Sequence, residues 1–175
     1  MTTGFEVRRL RENELPALQA SIPAWNSREY AKRLAAQGRG ELVQVVAWDG
    51  IRPVGKAMVL FPGYEEYSAS AERERCAEMR DVGVAEDVRR RGVGTALVGA
   101  LEDAARANGM SRIGMSAASD DDAGPGELLY EKLGYRRAHG PFITSTNLWA
   151  DDGSPIPVGA VMTYLVKELA SGLGS

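Results

Sequence analysis

At 175 residues and 44% apolar content, the chain can bury one sizeable core, and its net charge of -3 argues against nucleic acid as the main partner, which would need a surplus of Lys and Arg over a whole face. A single cysteine, Cys76, excludes an internal disulfide and any cysteine-rich zinc site. The N-terminal MTTGFEVRRLREN has no apolar run of signal-peptide length and no window approaches a membrane span, so the expectation is a soluble, cytoplasmic protein of one domain, residues 1–175, with no membrane partner.

Phe5 to Leu10 alternates as a strand, and Asn13 can cap a helix carrying Glu14 and Pro16 in its first turn. Asn26 or Ser27 can cap a second helix, Arg28 to Gln37, which Gly38 and Gly40 end. Leu42–Trp48 and Val54–Phe61 flank Asp49-Gly50, the chemistry of a hairpin turn. Pro62 to Arg75 reads as a loop or short irregular insert, and Cys76 to Val84 as the next strand. From Val93 to Asn108, Val93, Leu97, Leu101 and Ala104 recur at helical spacing, and Asn108-Gly109 closes the pattern. Then come a strand (Arg112–Ala117), a loop (Asp120–Gly126) and a short helix (Glu127–Leu133) stopped by Gly134. Strands are expected at Arg136–Ile143 and Val161–Lys167, separated by the Asp-, Gly- and Pro-containing stretch from Ala150 to Pro157. Alternating strands and helices without a repeat define an α/β or α+β class with a mixed sheet.

The stretch Arg89-Arg90-Arg91-Gly92-Val93-Gly94-Thr95 sits between a strand and the best-supported helix. Free N–H groups and the helix dipole favour an anion there, and glycine lets an oxyanion approach the main chain, so the geometry suits a pyrophosphate. A Walker loop would require a lysine that is absent, and the dinucleotide fingerprint a third glycine where this chain has Leu97. A solvated basic turn is the bland alternative.

These residues resemble a known family. The run VGVAEDVRRRGVGTALVGALEDAARANG is similar to the signature segment of the GNAT superfamily of N-acetyltransferases, with its core Arg/Gln-x-x-Gly-x-Gly/Ala, and LLYEKLGY, residues 128–135, is similar to the second signature. The resemblance implies a mixed, mostly antiparallel sheet of six to seven strands with about four helices. It also implies acetyl-CoA as cosubstrate, bound where the strand before the loop splays from its neighbour. Val82, Gly83 and Val84 would offer main-chain groups to the pantetheine arm, and Arg89, Arg90, Arg91, Gly92, Val93, Gly94 and Thr95 would wrap the pyrophosphate. Fixed donors facing a thioester carbonyl in a dry cleft are what acyl transfer needs.

By the same resemblance Tyr130 is the general acid near the coenzyme A sulfur, set against the reading of a core tyrosine on a short helix. Glu78, eleven residues before Arg89, has a spacing similar to the glutamate base of the histone-acetylating branch. Strand alternation would place it on one face with Arg80, Val82 and Val84, while an exposed or salt-bridged strand glutamate is the alternative. His139, the only histidine, has no carboxylate predicted beside it and reads as a surface or packing residue. Cys76 reads as structural. Asp120-Asp121-Asp122 reads as a solvated loop or an attractor of cationic amines rather than a metal site, so no metal is expected. The family's asparagine in this region is replaced near Ala123, with Ser119 as a possible substitute.

The acceptor would be a primary amine of a small molecule or protein, selected by segments holding Trp25, Tyr30, Tyr64, Tyr67, Trp149, Glu65, Glu66, Asp151 and Asp152. Core packing is the alternative for the two tryptophans. A non-catalytic acyl-CoA sensor or scaffold is the rival to the enzyme, a nucleic-acid module is disfavoured by charge, and a homodimer is implied by resemblance alone.

Overall fold

The computed structural model describes residues 4–22, 29–118 and 125–170. Seven strands form one sheet: β1 (Glu6–Arg9), β2 (Leu42–Asp49), β3 (Arg52–Leu60), β4 (Ala77–Val84), β5 (Arg112–Ala118), β6 (Arg136–Trp149) and β7 (Pro155–Glu168). Their order is β1-β2-β3-β4-β5-β7-β6, antiparallel throughout except between β4 and β5. Five α-helices lie among the described residues: α1 (Leu15–Ser21), α2 (Glu29–Gly38), α3 (Ala69–Glu74), α4 (Val93–Ala107) and α5 (Pro125–Lys132). This is the mixed, mostly antiparallel architecture expected from the sequence.

Helices cover both faces. On β3, Met58 and Leu60 pack with Ala36 of α2, whereas Gly55 turns to α4, where an added Cβ would lie 2.8 Å from Val93 Cγ1 and 2.9 Å from Leu97 Cδ1. Glycine at position 55 is therefore what lets the best-formed helix sit close on the sheet. The apolar stripe of α4 buries Val93, Leu97, Val98, Leu101 and Ala105 against β1 to β4. Glu102, on the same helix, is buried but satisfied: it accepts from the Tyr135 hydroxyl at 3.0 Å and from Lys167 Nζ at 2.9 Å.

Two expectations about element boundaries are corrected. The segment 62–75 contains α3, which Ser68 caps by accepting from the Ala71 N–H at 3.1 Å. The last two strands run fourteen residues each and meet at a tight turn, with the Ala150 N–H on the Ser154 carbonyl at 2.9 Å, where a long separating segment was expected. Pro155 and Pro157 obscured this because proline removes a ladder donor; they are tolerated because this part of β7 lies beyond the end of β5 and has one open edge.

Candidate active site

The site begins at a seam. β4 and β5 pair at only two positions, Ala77 with Ile113 and Glu78 with Gly114, and then diverge. Beyond Glu78 the β5-facing edge of β4 has no strand partner among the described residues, so its peptide groups border an opening of about 690 Å³. Glu78, Arg80 and Val82 line this cleft from β4, Met115 and Ser116 from β5, and Tyr130 from α5. The volume lies in the range of a small-molecule site.

A bulge re-aims β4 inside the cleft. Between the pairs Met58 with Arg80 and Lys56 with Gly83, β4 carries one residue more than β3, and Asp81 takes a left-handed φ of 55°. Directly paired residues share a sheet face, so Glu78 and Arg80 lie with Gly83, and Val84, opposite Gly55, lies on the other face. The expected common face of Glu78, Arg80, Val82 and Val84 is thus wrong, because strand alternation cannot foresee an inserted residue.

At the far end of β4 the chain passes through a short 3-10 turn, Glu86–Val88, into the basic loop. Arg90 (φ 62°) and Gly92 (φ 84°) adopt left-handed backbone, a conformation that gathers successive N–H groups into a concave seat for an anion. An added Cβ at Gly92 would meet nothing within 4 Å, so the approach to this main chain is open. The first intrahelical bond runs from the Ala96 N–H to the Gly92 carbonyl, which leaves the N–H groups of Val93, Gly94 and Thr95 without helical acceptors. Arg90, Arg91 and Thr95 are exposed, and the exposed Arg89 donates through Nε to the Val84 carbonyl at 3.4 Å. The two glycines have different reasons: Gly92 supplies the turn, while a Cβ at Gly94 would press on Leu129 Cδ2 at 3.3 Å. Val93 buries its side chain under the sheet, so only its main chain can face a ligand. A diphosphate fits this donor set, with three arginines and a helix start around one open loop.

Tyr130 is 6% exposed and meets Tyr135 edge-on, with ring centroids 5.7 Å apart. Burial pushes its phenol up to about 12, so it holds its proton at neutral pH, and among the described residues its hydroxyl has no hydrogen-bond partner. Glu78 is 2% exposed. Its carboxylate accepts from the Ser68 hydroxyl at 2.6 Å, the Ser68 N–H at 2.9 Å and Arg80 at 3.3 Å. The sequence did not single out Ser68, which also lines the cleft.

At the α2 side of the cleft, Arg33 is 6% exposed and clasps Asp81 at 2.9 Å and Glu66 at 3.0 Å. A charged residue on the buried stripe of α2, between Tyr30 and Ala36, was the sequence signal for it. Tyr30 and Tyr64 are core residues and do not line the cleft, and Glu65 pairs with Lys32. Asp152 accepts from the Ser154 N–H in the β6–β7 turn, where Asp151 also sits. Trp25, the capping candidates Asn26 and Ser27, Ser119, Asp120 to Asp122 and Ala123 lie outside the described residues, as does the side chain of Trp149. Cys76 is fully buried, and burial raises its thiol to about 11, in keeping with a structural role. Among the described residues no cluster could hold a metal ion, and no described helix is long and apolar enough to cross a membrane.

A split sheet with an anion seat at one end and a buried tyrosine across the gap defines a class, the acyl-CoA-dependent acyltransferases. The profile of the acetyltransferase (GNAT) family matches residues 6–135, and the chain belongs to that family, as an acetyl-CoA-dependent N-acetyltransferase. Solved structures share the fold, among them three acetyltransferases. A ribosomal-protein-alanine N-acetyltransferase from Brucella melitensis is 18% identical, with a TM-score of 0.64 over 94% of this chain and 99% of its own. An aminoglycoside 6'-N-acetyltransferase complexed with coenzyme A is 17% identical, with a TM-score of 0.59 over 94% and 97%. A nourseothricin acetyltransferase is 16% identical, with a TM-score of 0.61 over 95% and 99%. No curated protein matches the chain.

Proposed function

We propose that this protein, acting as one domain, moves the acetyl group of acetyl-CoA onto a primary amine of a small molecule or protein, by direct attack in a ternary complex within the β4–β5 cleft. The observation that carries the reading is the unpaired edge of β4, which runs from Glu78 to the anion seat with Tyr130 across the gap. The cosubstrate supplies an acetyl group activated as a thioester. Main-chain groups of Val82, Gly83 and Val84 hold the pantetheine arm. The seat from Arg89 to Thr95 holds the pyrophosphate, where a charge-assisted bond is about twice as strong as a neutral one.

The proton inventory assigns the remaining groups. The attacking amine must lose a proton and the departing thiolate must gain one. Tyr130 donates the second, being protonated at neutral pH and without a competing partner among the described residues. Glu78 takes the first through Ser68. The Ser68 hydroxyl lines the cleft and points its own proton at Glu78 2.6 Å away, so it accepts from the amine as it passes its proton inward. This accounts for a base that is nearly inaccessible itself.

The test is thiol release from acetyl-CoA against a panel of primary amines. Tyr130→Phe is expected to lower turnover about 10²-fold while leaving the melting temperature unchanged. Ser68→Ala and Glu78→Gln are expected to lose similar factors, and their double variant little more, because both act in one path. Tight acetyl-CoA binding with no transfer to any amine would instead mark a sensor.

A further inference from the structure

Next to the cleft, but not among the side chains that line it, α3 and β6 bring together three residues that the acetyl-transfer reading does not use. His139 Nε2 lies 3.1 Å from Ser70 Oγ, and its Nδ1 lies 3.1 Å from Glu74 Oε1. Ser70 and Glu74 are one helical turn apart, so both reach the same imidazole from one face of α3. From this geometry we propose that Ser70, His139 and Glu74 form a second catalytic centre, in which Ser70 is a nucleophile toward small carboxylic esters.

The polarity of the array follows from donor chemistry. A carboxylate can only accept, so the Glu74 contact places the imidazole proton on Nδ1. In the neutral imidazole Nε2 is then an acceptor and the Ser70 hydroxyl donates to it, which is the arrangement that activates a serine. The ring is fixed as well as hydrogen-bonded: it stacks on Tyr164 with centroids 5.2 Å apart at 13°, and Phe142 packs beside it at 5.6 Å. Arg112 holds Glu74 from the other side, with Nη1 on the Glu74 backbone carbonyl and 3.6 Å from Oε2. Ser70 is half-buried at the surface, and its hydroxyl has no other partner among the described residues.

The steps balance with water alone. Ser70 Oγ bonds to the ester carbonyl carbon as its proton moves to His139 Nε2. The bond to the leaving alkoxide breaks, and the imidazolium protonates it to the free alcohol. Water then attacks the acyl-serine through the same imidazole, releasing the carboxylic acid and restoring Ser70. The Ala71 N–H is already committed to the Ser68 hydroxyl at 3.1 Å and is not available to an oxyanion, so both acylation and deacylation are slow; with an activated aryl ester, whose phenolate departs more readily than the serine alkoxide, deacylation is the slower step and the acyl-serine accumulates.

The test uses p-nitrophenyl acetate and, separately, a fluorophosphonate, on the full chain without acetyl-CoA. A burst of p-nitrophenol with acetyl mass on the Ser70 peptide is expected, and it should vanish in Ser70→Ala. Labelling should slow by about 10²-fold in His139→Ala. Glu74 is a positioning residue: Glu74→Asp should keep the label and Glu74→Gln should lose most of it. Ser70→Ala should retain thiol release with acetyl-CoA and amine, which shows that it folds and separates this centre from the acetyl-transfer site. An unlabelled Ser70 in the unsubstituted protein, or a label formed at an equal rate in His139→Ala and Glu74→Gln, would overturn the proposal.

Discussion

The two halves of the sheet are built on different terms. From β1 to β4 the strands follow one another as neighbours, and helices on both faces bury nearly every side chain of β2 and β3. From β5 to β7 the order is shuffled, β6 is an edge, and the β6–β7 hairpin extends past its neighbour with Ile143 84% and Leu148 58% exposed. One half is a core and the other is an arm held at its root. The cleft lies where they meet, and its walls diverge because just two residue pairs join them. A site at such a seam has a rigid wall that can position a cosubstrate and a less buried wall that can be shaped for an acceptor.

Substitution at the seam should break this arrangement most. Gly114 pairs with Glu78 across it, and an added Cβ would lie 2.7 Å from Tyr164 Cε1, 2.9 Å from Cys76 Sγ and 3.0 Å from the Leu165 carbonyl. Since a backbone oxygen cannot step aside, Gly114→Ala is expected to destabilise by about 2–3 kcal/mol in urea unfolding and to lower acetyl transfer. A normal midpoint would mean that the halves are not tightly joined there. Gly55→Ala strains the core half against the ends of Val93 and Leu97, which can yield, and the alanine restricts the unfolded chain, so about 1–2 kcal/mol is expected.

The Arg33 clasp sharpens the comparison through pH. Burial opposes charge on Asp81, but Lys56, Arg33 and Arg80 together hold its carboxyl below the usual range. A depressed pKa in the folded state gives stability that is full above the unfolded value, about 3.9, and fades as pH falls through the folded one. Asp81→Asn is expected to cost about 1 kcal/mol at neutral pH, the scale of a partly screened bond to a charged group, and to flatten the acid limb of stability against pH. An unchanged acid limb would take Asp81 out of the clasp. On the arm, Ile143→Thr and Leu148→Ser should change stability by less than about 0.5 kcal/mol, since neither side chain loses buried contacts. A larger loss by either would show that the arm is covered in solution.

Legibility followed the range of the interactions. The α4 stripe, the Asp49-Gly50 hairpin and the strand-loop-helix around Gly92 were readable because each is specified within one stretch of chain. Glu78 was legible as a residue near the cleft but not as a buried carboxylate, since its environment is made by Ser68 from another element. His139 read as lacking a carboxylate; Glu74 lies 3.1 Å away in space and 65 residues away in sequence. The bulge at Asp81 leaves no mark that alternation can detect, because an aspartate at left-handed φ is acceptable in many turns.

By itself, the amino-acid order determined the helix faces, the turn residues and the two signatures that identify the family, for periodicity and backbone preference act over a few residues. Tertiary structure alone decided where β4 and β5 part, how far the last hairpin reaches, and which serine, histidine and carboxylate come within hydrogen-bond distance. Those depend on distances between segments many residues apart, and these exist only once the core has closed around α4 and Gly55 has let it in.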